Sequence, residues 1–316
     1  MGVKNVLVSC AGNFGNTGFG ECFTDFGMPK FIFFVPRGFK GDLTSIATIK
    51  ADLEALLLED VPSQRGYPVN GIVNVTSNSE DVVVQTFNTG AIAKVRDGNY
   101  DITVQWVQGG FCLLYGLLKG NGKNQPFLIG TDNGFLIGTD TGDGLLSPIK
   151  PNFVNANKFT WSDGTNVSAY TLRLNFEPAQ VNQNVNFVDF SNDGGLSYFE
   201  GLQGLQNVNL AQAAARALGV LKVKASTSCG SVDMYDLYSA DLAVVGAWVA
   251  TNRLTGNVIT ITSVAADANV KGWTITLNTA DPDYTATAGD ILISLAGPTE
   301  LAAIDVVGYE SNKLAQ

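Results

Sequence analysis

The stretch KFIFFVPRGF, residues 30–39, contains FIFFV, an uninterrupted run of five apolar residues. A short apolar run that is bounded by turn signals is typical of a strand that is buried on both faces. Pro36 and Gly38 supply such signals directly after the run. The preceding residues 11–20 are rich in Gly and Asn and lack a regular apolar pattern. We therefore expect residues 1–41 to form an N-terminal arm followed by a first strand.

Residues 42–59, DLTSIATIKADLEALLLE, carry the clearest helical pattern in the first half of the chain. Asp42 or Thr44 can cap this helix, because their side-chain oxygens can accept hydrogen bonds from its first free N–H groups. Pro62 and Gly66 end it. Apolar residues recur at the spacing of one helical face, at Ile46, Ile49, Leu53, Leu56 and Leu57. This stripe predicts one helix that packs against a core.

Between residues 67 and 190 the chain becomes a series of segments rich in β-branched and aromatic residues, with Asp-Gly and Asn-Gly turn sequences between them. Strands are predicted at GIVNVTS, DVVVQTF, YDITVQWV, PFLIG, FLIGT, KFTW, AYTLRLNF and VNFVDF. The run FCLLYGLL, residues 111–118, fits either a buried strand or a short helix. Together with the helix at 42–59, these segments predict a main β domain over residues 42–206.

Two nearly identical octapeptides follow each other at residues 127–134 (FLIGTDNG) and 135–142 (FLIGTDTG). Two units are too few for a solenoid, in which each repeat needs neighbours to cover it. We expect a hairpin in which each FLIG is strand and each TDxG is turn. Asp132, Asp140 and Asp143 could also gather around a calcium ion, because hard cations bind clustered carboxylates. The full calcium-loop pattern is missing, so turn formation is the favoured interpretation.

The alanine-rich segment at residues 207–221, NVNLAQAAARALGVL, has a high helix propensity and predicts a helical connector. Short strands separated by regular turns follow within residues 222–316 and predict an immunoglobulin-like (Ig-like) sandwich. The expected strands are LKVKAST, AWVATN, NVITITSV, GWTITLNT, GDILISLAG and AAIDVVGY, with a helical turn between Asp233 and Asp241. The predicted fold class is therefore mainly β: a β-sandwich or barrel domain with one flanking helix, plus a C-terminal Ig-like sandwich.

The chain contains no histidine, the side chain that titrates near neutral pH without perturbation and the commonest metal ligand. Ser-His-Asp and Cys-His catalysis are excluded for this reason, and we expect neither enzymatic activity nor a cofactor. The enzymatic alternative is a carboxylate pair, as in glycoside hydrolysis, with the candidates Glu177, Asp189, Asp193 and Glu200. The tryptophans are an alternative site, because their rings could stack on sugars, although burial in a core is more common for this side chain. They are Trp106, Trp161, Trp248 and Trp273.

The 19 basic and 29 acidic residues give a formal net charge of −10. Because no basic patch with interleaved aromatic residues is present, we expect no specific nucleic-acid binding. FIFFV is too short to span a membrane, and the first residues lack a signal-peptide pattern, which predicts synthesis in a cytoplasm. The four cysteines are Cys10, Cys22, Cys112 and Cys229, and they form no metal-binding pattern. We expect them to be buried apolar residues or free thiols. A disulfide between Cys10 and Cys22 is the alternative.

Several segments follow each other in a distinctive order: FGMPKFIFFVPRGF, RGYPV, SEDVVVQTFNTGAIAKVRDGNYDITVQW, the repeat hairpin and NVNFVDF. In this order they resemble structural virion proteins of tailed bacteriophages, especially those of Bacteroidetes-type hosts. The sequences AWVATNRLTGNVITITSV and GWTITLNTADPDYTATAGDILISLAGP resemble the Ig-like modules that are often appended to such proteins. The resemblance extends over most of the chain.

Among virion roles, the resemblance favours the tail tube, whose subunits are β-sandwich or barrel domains with one flanking helix, stacked as rings. It implies a virion protein that self-associates into rings, with hexamers expected, and that contacts other virion proteins. An acidic lumen would let DNA slide without sticking, the N-terminal arm would reach an adjacent subunit, and the Ig-like module would decorate the outside. The alternatives are a capsid decoration or neck-ring protein and, in a different class, a glycan-binding surface adhesin.

Overall fold

The computed structural model describes residues 26–96, 98–107, 114, 116–118, 124–162, 168–182, 184–229 and 231–316. The protein is mainly β, as the sequence predicts. It divides into two compact units, Met1–Leu57 with Val61–Gln203 and Leu58–Asp60 with Gly204–Gln316, here called unit 1 and unit 2. Within the described ranges, no helix has the length and apolar character that crossing a bilayer requires.

Unit 1 is built on two antiparallel sheets and a two-stranded ribbon. Its strands are β1 (Pro29–Phe34), β2 (Tyr67–Val69), β3 (Ile72–Ser77), β4 (Val83–Thr86), β5 (Ile92–Arg96), β6 (Tyr100–Trp106), β7 (Phe127–Thr131), β8 (Phe135–Thr139), β9 (Pro151–Thr160), β10 (Ala169–Phe176) and β11 (Val185–Asp189). One sheet has the order β11-β8-β7-β1-β2, the other has the order β3-β6-β10-β9, and β4 pairs with β5. The strands predicted between residues 67 and 190 are thus present, with KFTW in the C-terminal part of β9 and just beyond it.

Strand β1 is an interior strand that is buried on both faces. It pairs with β2 on one side and β7 on the other, and its side chains alternate between two cores. Phe31, Phe33 and Val35 enter a core that helices cover, whereas Ile32 and Phe34 enter the core between the two sheets. The buried strand is therefore confirmed, but it lies inside the main sheet of unit 1, which consequently begins before residue 42.

Helix α1, Ile46–Leu58, covers one face of the five-stranded sheet. Its buried residues form the predicted stripe, Ile49, Leu53 and Leu57. The cap differs from the prediction, because the Ser45 Oγ accepts a hydrogen bond from the Thr48 N–H at 3.1 Å. The Asp42 side chain instead accepts a backbone N–H in the turn before the helix. The helix consequently begins at residue 46 and not at residue 42.

The tandem octapeptides form the predicted hairpin of β7 and β8. Gly130 and Gly138 occupy equivalent positions in the two repeats, and a different neighbour excludes a side chain at each of them. A Cβ at Gly130 would lie 2.9 Å from the ring of Phe31, and one at Gly138 would clash with the carbonyl oxygen of Ser147. Two further short helices of unit 1 are α2 (Pro178–Asn182) and α3 (Gly195–Gly201).

Unit 2 is a two-sheet sandwich. Its strands are β12 (Gln206–Gln212), β13 (Val220–Thr227), β14 (Trp248–Asn252), β15 (Val258–Ile259), β16 (Ile261–Asp267), β17 (Gly272–Leu277), β18 (Ile291–Leu295), β19 (Tyr309–Ser311) and β20 (Leu314–Ala315), and its short helices are α4 (Met234–Tyr238) and α5 (Pro298–Ala302). The sheets have the orders β16-β17-β13-β12-β19 and β15-β14-β18-β20.

The strand order of unit 2 confirms the Ig-like architecture. In the order in which they lie in the sheet, β12, β13, β17 and β16 match the ABED strands of constant-type Ig domains, and β14, β18 and β20 match the CFG strands. Strand β19 is an addition to this plan and pairs in parallel with β12. Strand β15 extends the second sheet beside β14, as the C′ strand does in variable-type domains. Trp248, on the strand equivalent to C, is buried and its ring centroid lies 5.6 Å from that of Trp273.

The helical connector predicted at residues 207–221 is wrong. Strand β12 runs through this segment, and Val208 and Leu210 enter the core of unit 2. Alternate apolar residues and pairing with β13 outweigh the helix propensity of the alanines that follow. The Ig-like sandwich therefore begins at residue 206 and not at residue 222.

The strand predicted at AAIDVVGY, residues 302–309, is also wrong, since β19 begins only at Tyr309. Backbone turns occupy most of this segment, and Asp305 has a φ of +61°. Val306 is fully buried in the core of unit 2. The apolar residues of the segment thus fill the core from a turn, which periodicity cannot distinguish from a short strand.

Two predictions fall wholly or partly outside the described residues. Residues 1–25 of the expected N-terminal arm lie outside the described residues. Within the run at residues 111–118, residues 116–118 are helical and Leu114 is buried. These described residues favour the helical interpretation of the run.

Replacing Phe33 with Ala removes a fully buried ring from the core beneath α1. We expect the free energy of unfolding to fall by about 3–5 kcal/mol, measured by urea denaturation followed by circular dichroism. The matched control is Phe153→Ala, because Phe153 is 41% exposed on β9, and we expect it to cost less than about 1 kcal/mol. Equal losses in the two variants would contradict the interior position of β1.

Asp281 links two loops of unit 2, since its carboxylate accepts the Thr260 N–H at 2.9 Å and the Asp283 N–H at 3.0 Å. The contact with Thr260 is the main cause that lowers the pKa of Asp281. A lowered folded pKa means that the stabilisation is present above the unfolded pKa, about 3.9, and is lost as pH falls through the folded pKa.

We therefore expect Asp281→Asn to reduce the loss of stability between pH 7 and pH 3, measured as the change in urea midpoint. The exposed Asp305→Asn serves as the control and should keep the pH dependence of the parent chain. An Asp281→Asn variant with unchanged acid sensitivity would contradict this role of the carboxylate.

Candidate functional site

The aspartates considered as calcium ligands lie in turns that flank the repeat strands. The Asp132 Oδ1 accepts the N–H of Met28 at 2.7 Å and so ties the approach to β1 to the β7–β8 turn. The Asp140 Oδ1 accepts the N–H groups of Gly142 at 2.7 Å and Gly144 at 3.3 Å. Both side chains thus satisfy backbone donors within and beside the repeat.

Asp143 forms an ion pair with Lys40, and its Oδ1 accepts the N–H of Leu145 at 3.1 Å. The hydrogen bond from Lys40 is the main cause that holds the pKa of Asp143 below its usual value, followed by the Leu145 N–H. Throughout the part of the chain that the structure describes, no three Asp, Glu or Cys side chains are grouped so as to hold a metal ion. The contacts of the aspartates support the turn-forming interpretation.

The four carboxylates considered for a catalytic pair lie at the surface near α2, β11 and α3. Glu177, Asp193 and Glu200 are exposed, and the Asp189 Oδ1 accepts the N–H of Ser191 at 2.8 Å. A catalytic acid is usually set in an apolar pocket, and these exposed positions are instead typical of a solvated surface.

The tryptophans divide into three that are buried and one that is exposed. Trp106, Trp248 and Trp273 are at most 4% exposed and belong to the cores. Trp161 is 78% exposed directly after β9, and its ring meets Phe159 edge to face at a centroid distance of 5.0 Å. Of the predicted stacking platforms, Trp161 is therefore the one that can meet a ligand.

Cys229 is disulfide-bonded, so the expectation of a free or simply apolar cysteine is wrong for this residue. The Thr227 hydroxyl donates to its carbonyl oxygen at 2.9 Å at the end of β13. Spacing along the chain could not reveal the bond, because disulfide formation depends on the distance between residues in the fold. Cys10, Cys22 and Cys112 lie outside the described residues.

The ribbon of β4 and β5 extends the β3–β6 hairpin beyond the four-stranded sheet. The Asn78 N–H donates to the carbonyl of Asp101 at 2.7 Å, and the Glu80 N–H donates to that of Asn99 at 3.0 Å. Beyond these bonds β4 pairs with β5, and an ion pair of 3.0 Å joins Arg96 to Glu80. The ribbon is thus anchored at one end in the sheet.

All residues from 76 to 96 are exposed. Val83 and Val84 are neighbours on β4, and because successive strand side chains point to opposite faces, both faces of the ribbon are open. Large apolar side chains that are 37% to 68% exposed are Val82, Val83, Val84, Phe87, Ile92 and Val95. An isolated two-stranded hairpin is at best marginally stable in water, and the exposed apolar side chains make the ribbon a candidate interaction surface.

The four-stranded sheet presents a polar face on the side away from its core. Two cross-strand rows form this face, Asn74, Gln105 and Thr171 in one and Thr76, Thr103, Arg173 and Asn155 in the next. The Asn74 amide donates to the Gln105 side-chain carbonyl at 3.1 Å. The rows therefore consist mainly of uncharged hydrogen-bonding groups.

Arg173 is the cation of these rows, and Asp101 on the neighbouring strand binds it. The Arg173 Nε donates to both carboxylate oxygens of Asp101 at 2.9 Å, and its Nη2 donates as well. The bond to Asp101 raises the pKa of Arg173. The Asp101 side chain is 6% exposed and that of Arg173 is 54% exposed, so the charge at this face is paired.

Strand β9 forms an edge of the same sheet and is ten residues long. The edge of a sheet offers unpaired N–H and C=O groups to another strand. Phe153 on β9 and Trp161 just beyond it are exposed. The edge, the ribbon and the polar face together form the candidate functional surface of unit 1.

Sequence reasoning predicted β4 and the end of β9, but it missed β5 and did not predict the exposure of this surface. The run DVVVQTF contains three successive valines, a composition that is typical of a buried strand. One feature of the sequence bears on this exposure. Only a short turn separates this run from the next strand, and Asp97 and Gly98 follow before YDITVQWV. Such an arrangement is compatible with a projecting hairpin, but exposure becomes visible only in the fold.

No protein-family model, curated protein or solved structure matches the chain.

Replacing Asp140 with Ala removes the acceptor of two turn amides, and we expect the free energy of unfolding to fall by about 1–2 kcal/mol. The loss should be the same with calcium chloride and with a chelator, measured as thermal unfolding midpoints in both. Asp241→Ala in unit 2 is the control for removal of one exposed acidic charge. A calcium-dependent midpoint in the parent chain that disappears in Asp140→Ala would instead establish a calcium site.

Proposed function

We propose that the protein is a structural subunit that assembles with copies of itself, and that the assembly is the stacked-ring tube of a phage tail. The apolar ribbon, open on both faces, is the observation that carries the proposal. A ribbon of this kind gains stability when another surface covers it. In a homo-oligomer, the surface that covers the ribbon belongs to a second copy of the chain.

The edge strands of unit 1 support assembly by continued strand pairing. β3 and β9 are the two edges of the four-stranded sheet. In a ring, one edge of each subunit pairs with the other edge of the next subunit, and closure of the ring leaves no edge open. Strand β9 is ten residues long and supplies one side of such a contact.

The polar face of the four-stranded sheet supports a tube around DNA. Uncharged Asn, Gln and Thr side chains and a paired Arg173 give a polyanion no isolated cation to bind on these rows. The acidic balance of the chain, −10, acts in the same direction. A lumen formed by this face would let DNA pass, and the Ig-like unit 2 would serve as decoration.

The exposed Trp161 favours the alternative of a glycan-binding adhesin. Aromatic side chains with an open face are suited to stacking on sugar rings, and the contact with Phe159 holds this ring in place. Saturable binding on a glycan array that Trp161→Ala abolishes would support the adhesin, and an array without hits would remove it.

We expect the purified chain to form rings or hollow polymers that are visible by negative-stain electron microscopy, with hexameric symmetry. The variant Phe87→Glu with Ile92→Glu should remain monomeric by light scattering, because it places one charge directly after β4 and one on β5. Its circular dichroism spectrum should match that of the parent, since both side chains are exposed.

Leu254→Glu is the matched control, because Leu254 is 77% exposed in unit 2, and it should assemble as the parent does. A parent chain that stays monomeric at high concentration would overturn the proposal. A ribbon variant that assembles as well as the parent would show that the ribbon is not the contact.

A further inference from the structure

One outer face of unit 2 is apolar where a solvated sheet face is expected. In strands β14, β15 and β18 buried residues alternate with exposed or partly exposed ones. Because side chains that pair across strands lie on the same face, the pairing of these strands and β20 places the outward side chains in two rows. We call them the neutral face, and they are Val258, Thr251, Leu292 and Ala315 in one row and Val249 and Ser294 in the other.

The neutral face carries no charge, unlike the outer face of the other sheet of unit 2. Strands β14, β15, β18 and β20, all of which the structure describes, contain no Asp, Glu, Lys or Arg. An antiparallel sheet that faces water on one side normally presents polar residues to it. Strand β13 in the other sheet does so with Lys222 and Lys224, and Lys222 pairs with Asp267 at 2.7 Å. The neutral face thus has the composition of a covered surface.

Charged side chains surround this face at the ends of its strands. Arg253 directly follows β14, Asp290 directly precedes β18, and Lys313 directly precedes β20. Arg253 and Lys313 are exposed. An apolar centre that is depleted of charge and enclosed by a polar rim is the arrangement found in protein–protein interfaces.

The absence of charge identifies the partner that the neutral face fits. A partner with charges at this contact would lose their hydration and find no opposite charge, so the partner surface must also be uncharged. Two copies of the chain repel each other through their net charge of −10, and the repulsion is weakest where the facing surfaces are neutral. The same face on a second copy meets both conditions, and a face that contacts its own copy forms a closed pair with two-fold symmetry.

We propose that unit 2 pairs two copies of the chain through the neutral face, sheet against sheet. The face spans about 300 Å² on each copy, because strands lie about 4.8 Å apart and rise about 3.4 Å per residue. A stable interface of standard size buries about 800 Å² per partner. The pair is therefore weak, with a Kd on the order of 1 mM. This pairing goes beyond the proposed tube and does not require it.

Sedimentation equilibrium of the full chain with Phe87→Glu and Ile92→Glu tests the pairing, because these substitutions block the ribbon contact proposed for unit 1. With this variant as the background, we expect a monomer–dimer equilibrium at concentrations up to about 1 mM. Adding Leu292→Arg should weaken dimerisation about tenfold or more, because each copy would bring an unpaired charge to the centre of the contact.

Two further variants separate loss of contact from loss of fold. Val258→Arg should also weaken dimerisation, and because Val258 is 66% exposed, its replacement leaves the core of unit 2 intact. Val220→Arg is the matched control, since Val220 is a partly exposed residue of β13 in the other sheet. It should dimerise as the background does.

A photo-crosslinking amino acid in place of Val258 identifies the surface of the partner. In a mixture of unlabelled and heavy-isotope-labelled chains, cross-links between the two forms should end within β14, β18 or β20 of the other copy. The same amino acid in place of Lys224, which is exposed on the other sheet, should give no cross-links to these strands.

Three results would overturn the pairing. They are a background chain that stays monomeric up to about 1 mM, equal dimerisation of the Leu292→Arg and Val220→Arg variants, and cross-links from position 258 that end on any other surface. The tube is tested separately by ring formation of the parent chain, so failure of the tube and failure of the pairing give different results.

Discussion

The burial of β1 on both faces is the constraint on which the rest of unit 1 depends. Most strands owe their register to one apolar face, because a shift by one residue would turn that face to solvent. In FIFFV both faces are apolar, so hydrophobicity alone cannot fix the register, and the shapes of the rings must do so. Phe31 stacks on Phe199 at a centroid distance of 5.4 Å and an interplanar angle of 7°, and Phe34 meets Phe127 edge to face at 6.2 Å.

From this strand the two cores of unit 1 extend in opposite directions. One is closed by α1 and α3, the other by the four-stranded sheet. Because the helices cover the five-stranded sheet, the outer face of the four-stranded sheet and the ribbon remain as open β surface of this unit. The aspartates in and beside the repeat accept hydrogen bonds from backbone N–H groups. Part of the negative charge of the chain therefore stabilises local structure.

The sequence predicted the elements whose local pattern and tertiary environment agree. FIFFV, the octapeptide hairpin, the stripe of α1 and the alternating strands of unit 2 are of this kind. It failed where tertiary pairing overrode propensity, as when β12 paired with β13 in the segment that precedes Ala213, and where a turn delivered Val306 to the core. The candidate surface was not predictable, because the valines of DVVVQTF look the same whether a core or solvent surrounds them.

The near identity of the two octapeptides has a consequence for how the chain folds. If the second octapeptide takes the place of the first, the sequence shifts by eight residues. Because eight is an even number, every side chain stays on its face of the strand, and one FLIGTD sequence replaces the other. Residues 135–140 can therefore compete with residues 127–132 for the place beside β1, with a glycine again opposite Phe31. Such competition early in folding is the condition for a kinetic trap. Only the segments outside the repeat, above all the bonds of Ser147 to Thr139 and of Gly41 to Leu146, distinguish the native pairing from its shifted counterpart.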